Sequence, residues 1–233
     1  MRHRLTQPEL MDRPDSDERL LHNTLTQFGT INRWLARARK VLKKQVVGNM
    51  KKAPHAHYHI VDLGAGACET MAWLLAHCQK QKLQLRVTAC DHDPQVVAYA
   101  RARYGNVKGL DIQLRDVMDI DDLRPVDFFF ANHFLHHLND AGIIKLLKYL
   151  ESFENARVLI SDLRRSRLAY TAFYAGGPLL FPRSFAWHDG LLSIRKGFKL
   201  HELQALVKAA AGANSRLYQI KRNFPARLVI VRQ

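Results

Sequence analysis

The stretch that most constrains the fold of this chain covers residues 59–70, with the sequence HIVDLGAGACET. Its first half is rich in branched apolar residues, as a strand covered on both faces requires. Gly64 and Gly66 follow, and small residues let the backbone turn and approach a ligand closely. A helix that begins after this turn points its free N–H groups back at it. The stretch therefore predicts a strand–turn–helix nucleotide site. Cys68 replaces the third glycine of the G-x-G-x-x-G pattern, which disfavours a dinucleotide site.

Length and composition limit the class of protein. The chain has 233 residues, of which 47% are hydrophobic, enough for one large domain or for a domain with an added lobe. No apolar run reaches transmembrane length, and the first residues lack the apolar stretch of a signal peptide. The three cysteines have no metal-type spacing, so we expect them to be reduced. Together these features favour a cytoplasmic protein.

The net charge of +15 is unevenly distributed. Residues 31–52 contain eight Lys or Arg and no acid, and residues 157–233 contain 14 Lys or Arg against three acids. Such a balance fits nucleic acid, or an anionic surface or substrate such as a phospholipid or an acyl-carrier protein. Basic faces that are merely solvated explain it equally well. The sequence leaves the oligomeric state open.

Polar residues close the predicted strands that follow the first turn. Asp91 ends the second strand, Asp116 the third, Asn132 the fourth and Asp162 the fifth. Asp93 is placed to cap the helix that follows the second strand,. The carboxyl ends of parallel strands meet at one edge of a sheet, so we expect these side chains near the first turn. An acidic side chain such as Asp91 can accept hydrogen bonds from both hydroxyls of a ribose. Because strands and helices alternate, the pattern predicts a doubly wound α/β sheet.

The N-terminal part precedes this sheet. Residues 1–18 indicate a loose arm, with Asp17 among the residues placed to cap a helix,. Helical periodicity then runs to about residue 46, with a break near Gly29,. A basic stripe on these helices comprises Arg33, Arg37, Lys40 and Lys44. A solvated helix face is the simpler interpretation of the stripe. The alternative is that one of its arginines reaches the carboxylate of a ligand.

Residues 163–198 interrupt the alternation. Six aromatic residues crowd around Gly176, Gly177 and Pro178. We expect a short helix and an irregular cover over the strand ends. The rings suit a planar or apolar acceptor, or they form the core of a lid. A helix over residues 199–210 and a pair of strands over residues 215–221 and 226–231 complete the chain.

With these residues in place, the chain resembles the class I S-adenosylmethionine-dependent methyltransferases over residues 58–232. Residues 61–66 look like their first motif, and Asp91 like the acidic residue that binds the ribose. His92 looks like the neighbour that lies against the adenine. Residues 116–117 look like the pair that frames the adenine, and residues 132–138 like the fourth motif, whose start faces the sulfonium.

The resemblance implies S-adenosyl-L-methionine as the cofactor and a Rossmann-like, seven-stranded sheet whose terminal strand is antiparallel. The cofactor-binding residues that it implies are Asp62, Gly64, Ala65, Gly66, Asp91, His92, Asp116, Val117 and Asn132. It divides the chain into an N-terminal arm and helices over residues 1–52, acting as a lid or a partner surface, and a methyltransferase domain over residues 53–233. Residues 163–198 form a lid-like insertion in that domain.

The implied reaction is methyl transfer to a small acceptor, because the fourth motif and residues 195–203 look like those of bacterial biosynthetic methyltransferases. We expect an aromatic, quinone-like or polyketide acceptor, with O-methylation favoured over C-methylation. One alternative, suggested by the charge, is an RNA methyltransferase. The sequence lacks the Asn-Pro-Pro-Tyr and Pro-Cys motifs of base methylation, which disfavours this alternative. A second is a non-catalytic protein that binds the cofactor and a partner.

A phenol or enol acceptor must lose a proton, and histidine is the usual base. His133, His136 and His137 follow the fourth predicted strand. On a helix, His133 and His137 share one face, and we predict one of these two as the base. A packing role is the simpler interpretation of any single histidine, and His188 is an outside candidate. We set aside a metal site because no acidic cluster in the sequence completes it.

Overall fold

The computed structural model describes residues 1, 3–13, 15–32 and 37–232. Seven strands form a sheet of order β3-β2-β1-β4-β5-β7-β6. The strands are β1 (His57–Leu63), β2 (Gln84–Asp91), β3 (Leu110–Leu114), β4 (Phe128–Asn132), β5 (Arg157–Leu163), β6 (Tyr218–Asn223) and β7 (Arg227–Arg232). The first five are parallel, and β7 lies antiparallel between β5 and β6. The predicted doubly wound, Rossmann-like sheet with an antiparallel terminal strand is confirmed.

Helices cover both faces of this sheet. They are α1 (Glu18–Thr30), α2 (Ala38–Leu42), α3 (Gly48–Met50), α4 (Glu69–Lys80), α5 (Pro94–Tyr104), α6 (Asp140–Glu151), α7 (Arg167–Leu180), α8 (Ala186–Lys196) and α9 (Leu200–Ala211). A π-helical turn joins α2 to α3. Ile60 packs with α2–α5 in one apolar cluster, whereas Val61 packs with α6 and α9 in another. Neighbouring residues of β1 thus serve opposite layers, as the two-residue period of a strand dictates.

The predicted helix starts are confirmed at two positions. The side chain of Asp17 accepts a hydrogen bond from the Leu20 N–H, and that of Asp93 accepts one from the Gln95 N–H. Such caps satisfy backbone donors that the helix itself leaves unpaired. In the basic stripe, Lys40 and Lys44 are exposed, as the solvated-face interpretation expects, and Arg33 lies outside the described residues.

Two strand ends differ from the prediction. β3 ends at Leu114, so Asp116 lies in the loop beyond the strand. β5 continues to Leu163, so Asp162 is a strand residue and is 1% exposed. The strand is longer because β7 pairs with it as far as Leu163, opposite Arg227. A partner strand distant in sequence therefore sets the end of β5.

The cover over residues 163–198 is more regular than predicted, since it consists of the two helices α7 and α8. Each helix places a glycine against an aromatic ring of the other. A Cβ on Gly177 would lie 2.1 Å from an indole carbon of Trp187, and a Cβ on Gly190 would lie 2.5 Å from the ring of Phe173. The glycines therefore permit close helix packing here and do not mark breaks.

The expectation of a loose N-terminal arm is wrong for the described part of residues 1–13. Glu9 is 2% exposed. The backbone N–H groups of Leu10 and Met11 donate to the Asp189 carboxylate on α8, at 2.9 and 3.0 Å. The arm is ordered because its polar groups find buried partners that are far away in the sequence.

All three cysteines of the chain are buried and free of disulfide bonds. Across the residues that the structure describes, no helix combines the length and the apolar character that crossing a membrane requires.

Candidate active site

A cavity of about 810 Å³ lies at the carboxyl ends of the parallel strands. The turn after β1, the end of β2, the loop after β3 and the end of β4 form its floor. Residues of α1, α7, α8 and the N-terminal arm close over it. This is the edge at which open α/β sheets bind their ligands.

The turn after β1 needs its first glycine for steric reasons. Gly64 has φ +67°, and a Cβ there would lie 2.3 Å from a ring carbon of Phe134. Gly66 also has positive φ, at +55°, but a Cβ there would meet no atom within 4 Å. Gly64, Ala65 and Gly66 all line the cavity. The open space at Gly66 is a cradle in which a ligand can approach the backbone, so this turn fits the cofactor that the sequence implies.

Asp91 ties the first turn to the next βα connection. Its carboxylate accepts hydrogen bonds from the Gly66 N–H at 2.9 Å and from the Asp93 N–H at 3.1 Å. Burial raises the pKa of Asp91, although both backbone donors oppose that shift. A carboxylate has about four lone-pair positions, so ribose hydroxyls can still donate to it. His92 beside it has a side chain that is 83% exposed and also lines the cavity.

The other predicted cofactor residues divide between the cavity wall and the core. Asp116, Val117 and Asn132 line the cavity. The Asn132 amide is fixed, because its oxygen accepts from Arg227 at 2.7 Å and its nitrogen donates to Asn32 at 2.9 Å. Asp62 is buried in β1 and is not part of the cavity wall. Burial, together with the charges of Asp91 and Glu69, raises the pKa of Asp62 well above its ordinary value.

The three histidines do not share one helix. His133 has φ +58° and precedes a short 3₁₀ turn at Leu135–His137. The Arg227 guanidinium lies 2.8 Å from its Nε2 and 3.1 Å from its Nδ1. Burial and this cation hold the pKa of His133 well below its ordinary value. A ring nitrogen that accepts from arginine cannot also accept a proton, so the geometry disfavours His133 as the base.

His136 is the most enclosed of the three histidines. It is 2% exposed, with Nδ1 2.7 Å from Asp162 Oδ1 and Nε2 3.6 Å from Glu9 Oε1. Burial lowers its pKa, but the two carboxylates outweigh burial and raise the pKa of His136 to about 9. The ring is therefore an imidazolium, which can position an anion and cannot accept a proton.

His137 is the better candidate for a base. Its Nδ1 lies 3.0 Å from Asp12 Oδ2, and its Nε2 lies 3.9 Å from Glu9 Oε2. In the tautomer that donates from Nδ1 to Asp12, Nε2 keeps its lone pair. An aspartate that orients a histidine in this way is a common element of proton-transfer sites.

Glu9 and its partners are functional candidates that the sequence reasoning missed. Ser193 Oγ donates to the Glu9 carboxylate at 2.8 Å and Lys196 Nζ at 3.0 Å. Burial opposes the ionised form of Glu9, but His136, His137 and Lys196 outweigh burial and lower its pKa. No local pattern marks Glu9. The sequence does hint at a role for Arg227, because an arginine among the apolar residues of a buried strand requires a polar partner.

A metal site was set aside above because no acidic cluster in the sequence completes it. The structure does place a carboxylate, that of Glu9, beside the histidines. Ligand atoms of Glu9, His136 and His137 lie within 4.8 Å of one another. However, Lys196 and Ser193 already bond the Glu9 carboxylate. The negative charge is compensated without an ion, so we describe this group as an ion-pair cluster.

Residues 60–169 match a family model described as "Methyltransferase domain". These residues belong to that family. The match covers the turn after β1 and the tips of β2 to β5, where the predicted cofactor residues lie. It confirms the predicted resemblance to S-adenosylmethionine-dependent methyltransferases, and with it the cofactor. No curated protein matches the sequence.

Solved structures of methyltransferases share the fold. Magnesium protoporphyrin IX methyltransferase of Synechocystis PCC 6803 is 14% identical, with a TM-score of 0.52 over 85% of this chain and 84% of that chain. The plantazolicin methyltransferase BpumL is 14% identical, with a TM-score of 0.61 over 93% and 96%. A methyltransferase of Aquifex aeolicus is 16% identical, with a TM-score of 0.52 over 82% and 90%. Three longer chains are matched over 63%, 49% and 47% of their lengths.

Proposed function

We propose that this methyltransferase transfers the methyl group of S-adenosylmethionine to a small aromatic, quinone-like or polyketide acceptor, on oxygen in preference to carbon. The observation that carries the proposal is the composition of the cavity beyond the cofactor turn. Phe28, Ile31, Phe173 and Leu180 line it, together with Gly176 and Gly177. Apolar walls with flat rings and small residues suit a planar acceptor and exclude water.

The division of the chain is part of the proposal. Residues 1–52 act as a lid, residues 53–233 as the methyltransferase domain, and residues 163–198 as the insertion that covers the acceptor. In support, the described part of the arm contributes Glu9, Met11 and Asp12 to the cavity wall, and α7 and α8 contribute further residues to it.

The proposed chemistry uses the ion-pair cluster. When bound, the cofactor supplies a methyl group activated by a sulfonium. Asp91 would hold the ribose of the cofactor, and the turn at Gly66 would hold its methionine portion. His137, oriented by Asp12, takes the proton of a phenol or enol at Nε2. His136, whose two ring N–H groups face Asp162 and Glu9, holds the Glu9 carboxylate beside His137.

The RNA methyltransferase alternative has less support. The cavity wall contains six acids, namely Glu9, Asp12, Glu69, Asp91, Asp93 and Asp116, whereas its Lys and Arg residues are Lys145 and Arg227. A groove that holds a polyanion needs the opposite balance. The intact turn and Asp91 likewise argue against the alternative of a non-catalytic partner protein.

The proposal is tested with cofactor labelled in its methyl group. The protein is incubated with this cofactor and an extract of its own cell, and the label is then partitioned. We expect it in an organic-soluble small molecule. Label in RNA would overturn the proposal in favour of the alternative.

We expect Asp91→Asn to weaken binding of S-adenosylmethionine by about tenfold or more, because a ribose hydroxyl loses a charged acceptor. The asparagine oxygen can replace one of the two carboxylate oxygens that accept from Gly66 and Asp93, so thermal unfolding is measured beside binding to check that the fold is kept. Asp111→Asn on β3 removes the same charge from an exposed position and is the matched control. Isothermal calorimetry measures both. Absence of cofactor binding in the unaltered protein would contradict the enzyme assignment.

We expect His137→Gln to lower the rate of methyl transfer by about 100-fold or more while leaving cofactor affinity unchanged. Its rate should recover as the pH rises, because a phenol then ionises without a base. Asp12→Asn should cause a smaller loss of the same kind. His201→Gln, at an exposed position on α9, is the control. A rate for His137→Gln that equals the control would remove His137 as the base.

A further inference from the structure

Helix α7 is mostly apolar, with Tyr170, Thr171 and Tyr174 as its uncharged polar residues. Arg167 is the one charged residue in its 14. One side lines the cavity through Ala169, Ala172 and Phe173. On other sides Leu168 is 80% exposed and Leu179 is 87% exposed. Large apolar side chains that are exposed together mark an interaction surface, and the described residues of this chain leave that surface of α7 uncovered.

A second exposed apolar group lies beside the same cavity. Phe224, in the turn between β6 and β7, is 74% exposed. The two residues after it, Pro225 and Ala226, line the cavity. The Arg164 N–H donates to the Ala226 carbonyl at 2.8 Å, which ties this turn to the start of α7. The exposed apolar residues of α7 and of the turn therefore border one opening, and Leu180, which is 64% exposed, also lines it.

The flanks of this surface are basic. Arg167 and Arg183 are exposed at either end of α7. The two acids of residues 163–232 do not offset them, because Asp189 is 1% exposed and Glu202 is paired with Arg165. A patch with apolar side chains and cationic flanks complements an anionic lipid surface.

We propose that the exposed side of α7 and the Phe224 turn dock on a bilayer of anionic phospholipid. With 14 residues, α7 is shorter than the roughly 20 residues that span a bilayer, so it lies in the plane of the interface,. Leu168, Leu179 and Phe224 enter the boundary of the acyl chains, while Arg167 and Arg183 contact phosphate groups. The cavity then opens toward the lipid, which suits an acceptor that dissolves in the membrane.

The test is co-sedimentation of the purified full chain with vesicles. We expect binding to vesicles of phosphatidylglycerol and phosphatidylcholine in equal parts, weaker binding at high salt, and little binding to phosphatidylcholine alone. Leu168→Glu combined with Leu179→Glu should weaken binding by about tenfold or more. Leu217→Glu, at a leucine that is 46% exposed elsewhere, is the matched control. Arg167→Gln combined with Arg183→Gln should weaken binding to the anionic vesicles alone.

Three outcomes would overturn the proposal. The first is failure of the unaltered protein to bind anionic vesicles. The second is equal binding by the Leu168→Glu/Leu179→Glu variant and the control, with unchanged thermal unfolding. The third is a dimer in solution that this variant dissociates, because the surface would then join two copies of the chain. No acceptor is present in this assay, so its failure is distinct from failure of the proposed methyl transfer.

Discussion

Gly64→Ala is expected to abolish binding of S-adenosylmethionine and to lower the free energy of unfolding by about 3 kcal/mol. The added Cβ would lie 2.3 Å from a ring carbon of Phe134, and the residue has φ +67°. Two costs therefore add: the left-handed backbone conformation and a collision with a ring in the cavity wall. Relief requires Phe134 to move, and that shift disturbs the neighbouring His133. Chemical denaturation and calorimetry measure the two effects.

Gly66→Ala is the matched variant, because it also has positive φ but its Cβ would meet no atom within 4 Å. We expect a loss of about 1 kcal/mol in the free energy of unfolding, from backbone conformation alone. Cofactor affinity should nevertheless fall sharply, since the methyl group enters the space proposed for the ligand. Equal stability of the two variants would show that Phe134 does not resist the Cβ at Gly64. Full cofactor affinity in Gly66→Ala would place the ligand elsewhere.

Asp162→Asn is expected to destabilise the protein by about 3–5 kcal/mol, because two buried cations lose their shared anion. Asp162 bonds His136, and the charge of Arg227 also lowers its pKa. Arg227 is itself 1% exposed. Asp189→Asn is the control, because Asp189 is equally buried but accepts mainly from backbone N–H groups of the arm. Denaturant unfolding near neutral pH should give a much lower free energy of unfolding for Asp162→Asn than for the control.

The pH dependence of the free energy of unfolding shows whether Asp162→Asn acts by removing ion pairs or by simple loss of packing. His136 has a folded pKa of about 9, against an ordinary value of about 6.5. The imidazolium therefore stabilises the folded protein fully below about pH 6.5, and this stabilisation of about 3 kcal/mol is lost as the pH rises through about 9. Asp162 has a lowered pKa, so its contribution is present above its ordinary value and is lost in acid. The alkaline loss should be much smaller in Asp162→Asn, in which Glu9 alone supports the imidazolium, and an unchanged slope would contradict this account.

The sheet could be predicted from sequence because its signals are local. Strand periodicity, the glycines of the first turn and the cap at Asp93 each depend on a few neighbouring residues. The ordered polar residues at strand ends then brought Asp91, Asp116 and Asn132 to one edge, where the structure has them in the cavity wall. Which of these residues bind the cofactor stays a prediction.

The acceptor side of the site could not be predicted because its contacts are distant in sequence. Glu9 bonds Lys196, which lies 187 positions later in the sequence, and the arm that contains Glu9 was predicted to be loose. The helical spacing at which His133 and His137 would share one face does not apply, because the backbone at His133 has positive φ. The cover expected to be irregular consists of α7 and α8, and nothing in the sequence indicates that Trp187 and Phe173 pack against the glycines of these helices.

The buried Glu9 also constrains the order in which the molecule can assemble. Its partners His136, Ser193 and Lys196 belong to segments synthesised much later than the arm. During translation the arm therefore emerges before its partners, yet it can reach its native position only after α8 has packed on the sheet. The part of the cavity wall that the arm supplies is missing until these later segments have folded.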